Sequence, residues 1–156
     1  MDKIEELVNK INELASEIER LKEENKNEVW KPKDGEWYWM ISHTGFVAER
    51  RWTGDSYDDD RYKIGNVFKT KEEAEFRVEQ LKVEAELRRF GRKFVPKRGN
   101  YYFQYAHQQD SLFITSVWSD QGNDIYFETV EIAQKAIDTV GTERIKKYYF
   151  GVEEYD

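Results

Sequence analysis

The side chains that most often catalyse reactions or bind metals are scarce in this chain. It has no cysteine and only two histidines, His43 and His107, which follow the first strand of two similar segments. A metal or acid–base site built on both histidines would require the two segments to converge near carboxylates. The alternative, which we favour, is a turn residue that was copied when its segment was duplicated. The sequence contains no phosphate-binding glycine loop, nucleophile motif or metal-ligand spacing, so we expect neither an enzyme nor a cofactor.

Acidic residues are concentrated in the loop expected between the second and third strands of the first segment. The cluster consists of Asp55, Asp58, Asp59 and Asp60. It lacks the glycine and the distal glutamate of a calcium-binding loop, which argues against a cation site. We interpret it as a solvated hairpin loop, and a contact with a basic partner is the second interpretation.

Basic residues are concentrated where the two segments meet, in the stretch RRFGRKFVPKRG. The members of this basic joint are Arg88, Arg89, Arg92, Lys93, Lys97 and Arg98. Phe90 and Phe94 lie between them, and the mixture of cations with aromatic rings is suited to phosphate or nucleic-acid contact. A solvated linker that carries helix-end charges is the alternative, and we favour it.

Composition limits the classes of function. The chain has 156 residues, 37% of them charged, and a net charge of −7, which disfavours a general nucleic-acid binder. No apolar run approaches the ~18 residues of a membrane span, and the acidic N-terminus is unlike a signal peptide. The lack of cysteine fits a reducing cytoplasm. Of the residues, 15% are aromatic, so much of the core must be built from Trp, Tyr and Phe.

Residues 1–29 carry the heptad pattern of a coiled coil. Isoleucine occupies every a position and leucine every d position, namely Ile4, Leu7, Ile11, Leu14, Ile18 and Leu21. This combination favours a parallel two-stranded coil, in which Glu17 reaches Lys22 of the partner. Val8 and Ala15 widen the stripe, which leaves open a larger bundle or packing on the helix's own domain. We expect a homodimer, with a polar fraying end and linker from Glu23 to Glu28.

The remainder of the chain contains an internal repeat. Phe68–Ala74 matches Phe127–Ala133, and upstream Gly35–Trp52 aligns with Gly99–Trp118 through alternating aromatic positions. Each copy predicts two alternating strands, a polar loop, a third strand and a capped helix. We place the third strands at Tyr62–Phe68 and Asp124–Phe127. Each unit is therefore expected to be β-β-β-α, a small antiparallel sheet covered by a helix.

Alternation in the first strand of each unit predicts which side chains share a face. Trp37, Trp39 and Ile41 fall on one face of the first unit, with Tyr38 and Met40 on the other. The second unit repeats the larger aromatic face with the residues Tyr101, Phe103 and Tyr105.

The helix predicted over Phe68–Gly91 has two apolar sides. Thr70 and Glu73 form a capping box at its start. One stripe contains Ala74, Val78, Leu81 and Ala85, and the opposite stripe contains Phe76, Val83, Leu87 and Phe90. The second helix has one stripe, and after Gly141 a short last helix is expected over Glu143–Tyr149, capped by Thr142. We infer that the two-sided helix packs between the repeats, so that they share one core, or packs against a second chain.

These patterns predict an α+β protein with an N-terminal coiled-coil helix followed by two β-β-β-α repeats. The expected divisions are a coiled-coil helix at 1–29, a first repeat at 30–91 and a second repeat at 92–156.

Three stretches, Trp30–Trp39, Arg61–Phe76 and Tyr126–Phe150, resemble small proteins from phages and prophages of Gram-positive bacteria. The resemblance covers most of residues 30–152. It implies a phage accessory role in the cytoplasm of an infected bacterium. By analogy with anti-CRISPR and other anti-defence proteins, it suggests a non-enzymatic inhibitor that binds a host defence protein or nucleoprotein.

A second likeness is to the three-stranded sheet DNA readers of the plant AP2 and integrase-arm type. These proteins also run a final strand into a threonine-capped helix that begins with Glu and Ala. The likeness implies that Arg50, Arg51 and Trp52 face a DNA groove. The neighbouring acidic cluster and the net charge of −7 count against it.

Overall fold

The computed structural model describes residues 2–26 and 29–154 and confirms the α+β class. The helices are α1 (Lys3–Asn25), α2 (Ser56–Lys63), α3 (Lys71–Arg88), α4 (Val130–Val140) and α5 (Thr142–Arg144), which continues into a π-helical turn, Ile145–Tyr149. The strands are β1 (Trp37–Ile41), β2 (Val47–Arg51), β3 (Asn100–Ala106) and β4 (Ser111–Val117). Among these described residues, no helix is both long and apolar enough to cross a membrane.

Each unit contains an antiparallel hairpin, but the predicted third strands are wrong. β1 pairs with β2, with Trp39 opposite Glu49, and β3 pairs with β4, with Phe103 opposite Ile114. The third segment of each unit is reduced to a single bridge to the hairpin, at Phe68 in the first unit and at Phe127 in the second. In both units a threonine that caps the next helix comes two residues after this bridge. The bridge fixes the chain to the hairpin, and the cap then starts the helix.

The polar loop of the first unit is also a corrected prediction, because its residues form α2. Asp55 caps the helix by accepting a hydrogen bond from the backbone N–H of Asp58 at 2.8 Å. Asp58 and Asp59 lie in the first turn, and Arg61 and Lys63 lie in the last, so the charges complement the helix dipole. The segment Tyr62–Phe68 therefore begins as helix rather than as strand.

The predicted caps of α3 and α4 are confirmed, but the prediction that Thr142 caps the last helix is wrong. The Thr70 hydroxyl accepts from the backbone N–H of Glu73 at 3.2 Å, and the Glu73 carboxylate accepts from the backbone N–H of Thr70 at 3.2 Å. In the second unit, the Thr129 hydroxyl accepts from the backbone N–H of Ile132 at 3.1 Å. The last helical segment begins at Thr142 as α5, with Gly141 rather than Thr142 at its cap position.

The buried side chains form two clusters, so the expectation of one shared core is corrected. The smaller cluster consists of Tyr38, Met40 and Trp52. The larger one contains the second hairpin, α4 and the Ile145 turn, together with Val83 and Leu87 of α3. The helix α3 also packs against β1 and β2, as expected for a helix between the units. Its C-terminal half therefore belongs to the core of the second unit.

Neither stripe of α3 is covered along its whole length. Ala74 is buried, but Leu81 farther along the same stripe is exposed; Val83 and Leu87 are buried, but Phe76 on their stripe is exposed. Two hydrogen bonds tie the helix to the C-terminal segment, one from the Gln80 amide to the carbonyl of Tyr148 at 3.3 Å. The other joins Arg144 to Glu86 at 2.6 Å.

The two hairpins bury different faces. In the second unit Phe103, on the face that it shares with Tyr101 and Tyr105, is buried. In the first unit Tyr38 and Met40 are the buried residues, while Trp37 is 59% exposed. The reason is α2, which covers the Tyr38 side of the hairpin and was not predicted.

The polar helix end and linker predicted over Glu23–Glu28 begins inside α1. α1 continues to Asn25, so Glu23 and Glu24 are helical and not part of a linker. Asn27 and Glu28 lie outside the described residues.

Candidate interaction surfaces

The apolar stripe of α1 is exposed. Its six a and d residues and Val8 have between 44% and 67% of their surface accessible. None of the described residues of α1 is buried. Ion pairs link neighbouring turns, with Arg20 contacting both Glu17 and Glu24, and Lys22 contacting Glu19 at 3.1 Å. The helix is thus supported by its own charged face, and its apolar face has no cover within the described chain.

Arg92 of the basic joint is occupied by internal contacts. Its guanidinium donates to the carboxylate of Glu128, to the Asn100 side-chain oxygen at 2.6 Å and to the Gly99 carbonyl at 2.8 Å. It also donates to the Lys93 carbonyl at 2.9 Å. Four of the five N–H donors of this guanidinium are thus used within the chain, so it fixes the shape of the joint and has little capacity left for a ligand.

Asn100 completes the internal structure of the joint. It is fully buried, and its amide nitrogen donates to the carbonyls of Val95 and Arg98, each at 2.9 Å. Its side-chain oxygen accepts from the backbone N–H of Val95 at 2.9 Å. Arg98 also pairs with Glu128. No local pattern could have predicted this arrangement, because Glu128 lies 30 residues after Arg98.

The rest of the joint remains on the surface. Its exposed cations, apart from Arg98, are Arg88, Arg89, Lys93 and Lys97. Phe94 is half-buried, with its ring edge-on to Tyr126 at 5.3 Å, and Phe90 packs against the larger cluster. The two phenylalanines are therefore structural, and the joint presents cations without free aromatic platforms.

The acidic cluster divides in the same way into one buried residue, Asp58, and three residues nearer the surface, of which Asp55 caps α2. Asp58 is only 2% exposed, so it is not part of a contact surface. Its carboxylate accepts from the Tyr38 hydroxyl at 2.5 Å and from the backbone N–H groups of Thr53 at 2.8 Å and Gly54 at 3.1 Å. Asp55 and Asp60 are exposed, and Asp59 is half-buried.

This network also sets the protonation of its members. Burial alone would raise the pKa of Asp58, but the hydrogen bonds from Tyr38, Thr53 and Gly54 outweigh it and hold the pKa below the ordinary value. Burial, reinforced by the adjacent carboxylate, raises the pKa of Tyr38, although Arg61 opposes the shift. The carboxylate is therefore ionised and the phenol protonated at neutral pH, the arrangement of a structural hydrogen-bond network.

The two histidines lie in separate hairpin turns and are both exposed. The His107 ring packs edge-on to Tyr105 at 5.0 Å. Across residues 2–26 and 29–154 there is no group of three or more His, Asp or Glu side chains arranged to hold a metal ion.

Only two of the three residues that the DNA-reader likeness places against a DNA groove are exposed. Arg50 and Arg51 are exposed on β2, but Trp52 is buried against Tyr38 with ring centroids 5.9 Å apart. Trp52 therefore cannot face a DNA groove in this structure, which corrects that expectation.

A shallow groove between the first hairpin turn and α3 was not predicted from the sequence. Phe46, 76% exposed, lies at one side of it, and Phe76 packs against Tyr148 with ring centroids 5.1 Å apart. Charged residues line the groove, with three acids and two bases: Glu72, Glu75, Glu79, Lys71 and Lys82. The sequence feature that could have pointed to this groove was Phe76, because its place on an apolar side of α3 calls for a packing partner. In the structure Tyr148 covers only part of it.

Comparison with known proteins assigns no relationship. No protein-family model matches this chain, and neither curated proteins nor solved structures give a match.

Proposed function

We propose that the protein is a non-enzymatic phage accessory protein that binds and inhibits a host defence protein or nucleoprotein in the cytoplasm of an infected bacterium. In this proposal α1 joins two copies of the chain, and the globular part contacts the host target. The observation that carries it is the exposed apolar stripe of α1, since contiguous exposed apolar surface marks interaction sites. The inhibitory role rests on the resemblance to small phage proteins.

The groove beside Phe46 supports a protein target. An exposed aromatic residue with a charged rim has the composition of a protein-binding site, because aromatic side chains anchor interfaces and rim charges select the partner. Three of the five charged residues that line the groove are acidic, which favours a target segment that carries lysine or arginine.

The test is whether the chain relieves a host defence. Expression in a bacterium with an active defence system should raise the plating efficiency of the phage that this defence restricts. Phe46→Ser should weaken the relief. Phe113→Ser, on the second hairpin and also exposed, is the matched control and should leave it intact. Unchanged restriction across a panel of defence systems, with the protein expressed and folded, would contradict the proposal.

Nucleic-acid binding through the basic joint is a second candidate. It is favoured by the exposed cations Arg88, Arg89, Lys93 and Lys97. The binding constant should fall steeply as the salt concentration rises. The slope of its logarithm against the logarithm of salt concentration should decrease by about one for each lysine–phosphate pair that Lys93→Glu and Lys97→Glu remove. Arg92 is unsuitable for this test because its substitution would disrupt the joint itself. Failure to bind DNA or RNA at about 50 mM salt would end this candidate.

A further inference from the structure

We infer that two copies of α1 pair antiparallel, which places the two globular parts at opposite ends of the helix pair. This inference rests on the proposed self-association and determines its geometry. The occupant of the exposed stripe is a second copy of the same helix, and the argument comes from the charges beside the stripe.

The charges flanking the apolar seam change sign halfway along the helix. With Ile4, Ile11 and Ile18 at a, one flank consists of the g residues Lys3, Lys10, Glu17 and Glu24. The other flank consists of the e residues Val8, Ala15 and Lys22. One flank is thus basic in its first half and acidic in its second half, while the other is largely apolar.

A parallel pair uses these charges poorly. In that arrangement each g residue faces the e residue of the next heptad on the other helix. Glu17 then meets Lys22 of the second copy, which is a favourable pair. Lys10 meets Ala15 of the second copy, and Lys3 meets Val8 of the second copy, so two lysines on each helix lie beside apolar residues.

An antiparallel pair satisfies the same charges. When each a residue lies opposite a d residue, Ile4 pairs with Leu21 and Ile11 with Leu14 of the second copy. The g flanks then face each other, and Lys10 meets Glu17 of the second copy while Lys3 meets Glu24. Twofold symmetry makes each of these pairs occur twice, which gives four ion pairs against two in the parallel arrangement.

The apolar flank also fits this arrangement. Val8 of one helix lies beside Ala15 of the other, so the wider side of the stripe meets itself and no charge is buried. Both orientations bury the same six isoleucine and leucine residues, and isoleucine at a with leucine at d selects the number of helices. The flanking charges therefore replace the parallel orientation that the heptad pattern alone predicted. Charges at e and g positions set helix orientation, and antiparallel helix dipoles attract.

The orientation determines the shape of the assembly. α1 has 23 residues, so it extends for about 35 Å at ~1.5 Å per residue. The globular part resumes at Val29, three residues beyond Lys26, within about 11 Å of the helix end. Antiparallel pairing therefore places the two globular parts, and the binding site proposed on each, at opposite ends of the helix pair.

Disulfide trapping tests the orientation, because the chain has no cysteine of its own. The full-length variants Ile4→Cys and Leu21→Cys are oxidised separately and as an equal mixture. We expect no covalent dimer from either variant alone and a covalent dimer from the mixture. Ser16→Cys, on the outer face of the helix, measures random collision and should remain uncrosslinked. Efficient self-crosslinking of Leu21→Cys would overturn the inference.

A charge-exchange cycle gives an independent measurement. Lys10→Glu creates two repulsive pairs in the antiparallel dimer, so the dissociation constant should rise about tenfold. Glu17→Lys should act similarly, and the double variant should recover most of the affinity. In a parallel dimer, Lys10→Glu would have little effect and would not rescue Glu17→Lys, which faces Lys22. A chain that stays single at every concentration would refute self-association itself, whereas failure of rescue in a dimer would refute only the orientation.

Discussion

The helices α1 and α4 are both amphipathic, yet they stand in opposite situations in the structure. Four side chains of α4 are buried, namely Ala133, Ala136, Ile137 and Val140. Among the described residues of α1 none is buried, although α1 has 23 residues against 11 in α4. An apolar stripe on a helix therefore shows only that the helix needs a partner. The location of the partner depends on the rest of the chain, which covers α4 and leaves α1 uncovered.

The largest effect should follow from breaking the covered helix. Ile137→Asp would place a carboxylate in the larger hydrophobic cluster, among side chains that carry no positive charge. We expect a loss of at least about 4 kcal/mol in the free energy of unfolding, enough to unfold the globular part. Urea titration followed by tryptophan fluorescence measures this, and a stability close to the native value would show that α4 is not packed as described.

The same substitution in α1 should leave the globular part intact. Leu14→Asp puts a carboxylate on a surface that is already exposed in the single chain. We expect an unchanged unfolding midpoint of the globular part. Helical circular dichroism should fall, because an isolated helix of this length is marginal in water. If the globular part instead lost more than about 1 kcal/mol, α1 would be packed on its own chain.

The polar interior of the first unit provides an intermediate effect. Asp58→Asn replaces an acceptor of several hydrogen bonds with a group that is half donor, so we expect a loss of about 1–3 kcal/mol in the free energy of unfolding. Asp60→Asn, in the same helix but exposed, is the matched control and should change it by less than about 0.5 kcal/mol. Equal losses of unfolding free energy in the two variants would mean that the buried Asp58 carboxylate does not stabilise α2. The loss caused by Asp58→Asn should not depend on whether α1 is paired with a second copy.

The lowered pKa of Asp58 also predicts how the stabilisation by its carboxylate changes with pH. Because the pKa of Asp58 is lowered in the folded protein, its contribution is fully present above the unfolded pKa of about 3.9. The contribution declines as the pH falls below that value through the folded pKa. The gap in unfolding free energy between the native chain and Asp58→Asn should therefore narrow below about pH 4. A gap that widened on acidification would contradict the assigned hydrogen bonds.

The smallest effects should come from the helix caps. Thr129→Ala removes the hydroxyl that caps the packed helix α4 and should cost about 1 kcal/mol of unfolding free energy. Asp2→Ala removes a longer bond, at 3.4 Å to the backbone N–H of Ile4, at the start of the uncovered helix. We expect it to fray α1 without changing the unfolding of the globular part. A comparable loss in both variants would indicate that the two helices unfold together.

Local signals were enough to predict the α+β class, the hairpins and the starts of α3 and α4. Thr70 and Thr129 act on donors three residues away, so a single sequence contains all that their caps require. Alternation was equally sufficient for β3, where Phe103 faces the larger cluster. These features depend on neighbours along the chain and not on the tertiary fold.

The features that were missed depend on distant contacts. α2 is a short run rich in aspartate, and it is anchored where Asp58 meets Tyr38, 20 residues away. Covering by α2 then buries Tyr38 instead of Trp37, which strand alternation alone could not decide. The basic joint also depends on a distant contact, because Arg92 is held by Glu128, which lies 36 residues later in the chain.

Sedimentation equilibrium of the full chain over a range of concentrations tests the central claim that the exposed stripe of α1 joins two copies. The native chain of 18.8 kDa should approach twice that mass, and Leu14→Asp should remain at the mass of one chain. A native chain that keeps the single mass at every concentration, with α1 still helical, would contradict the claim.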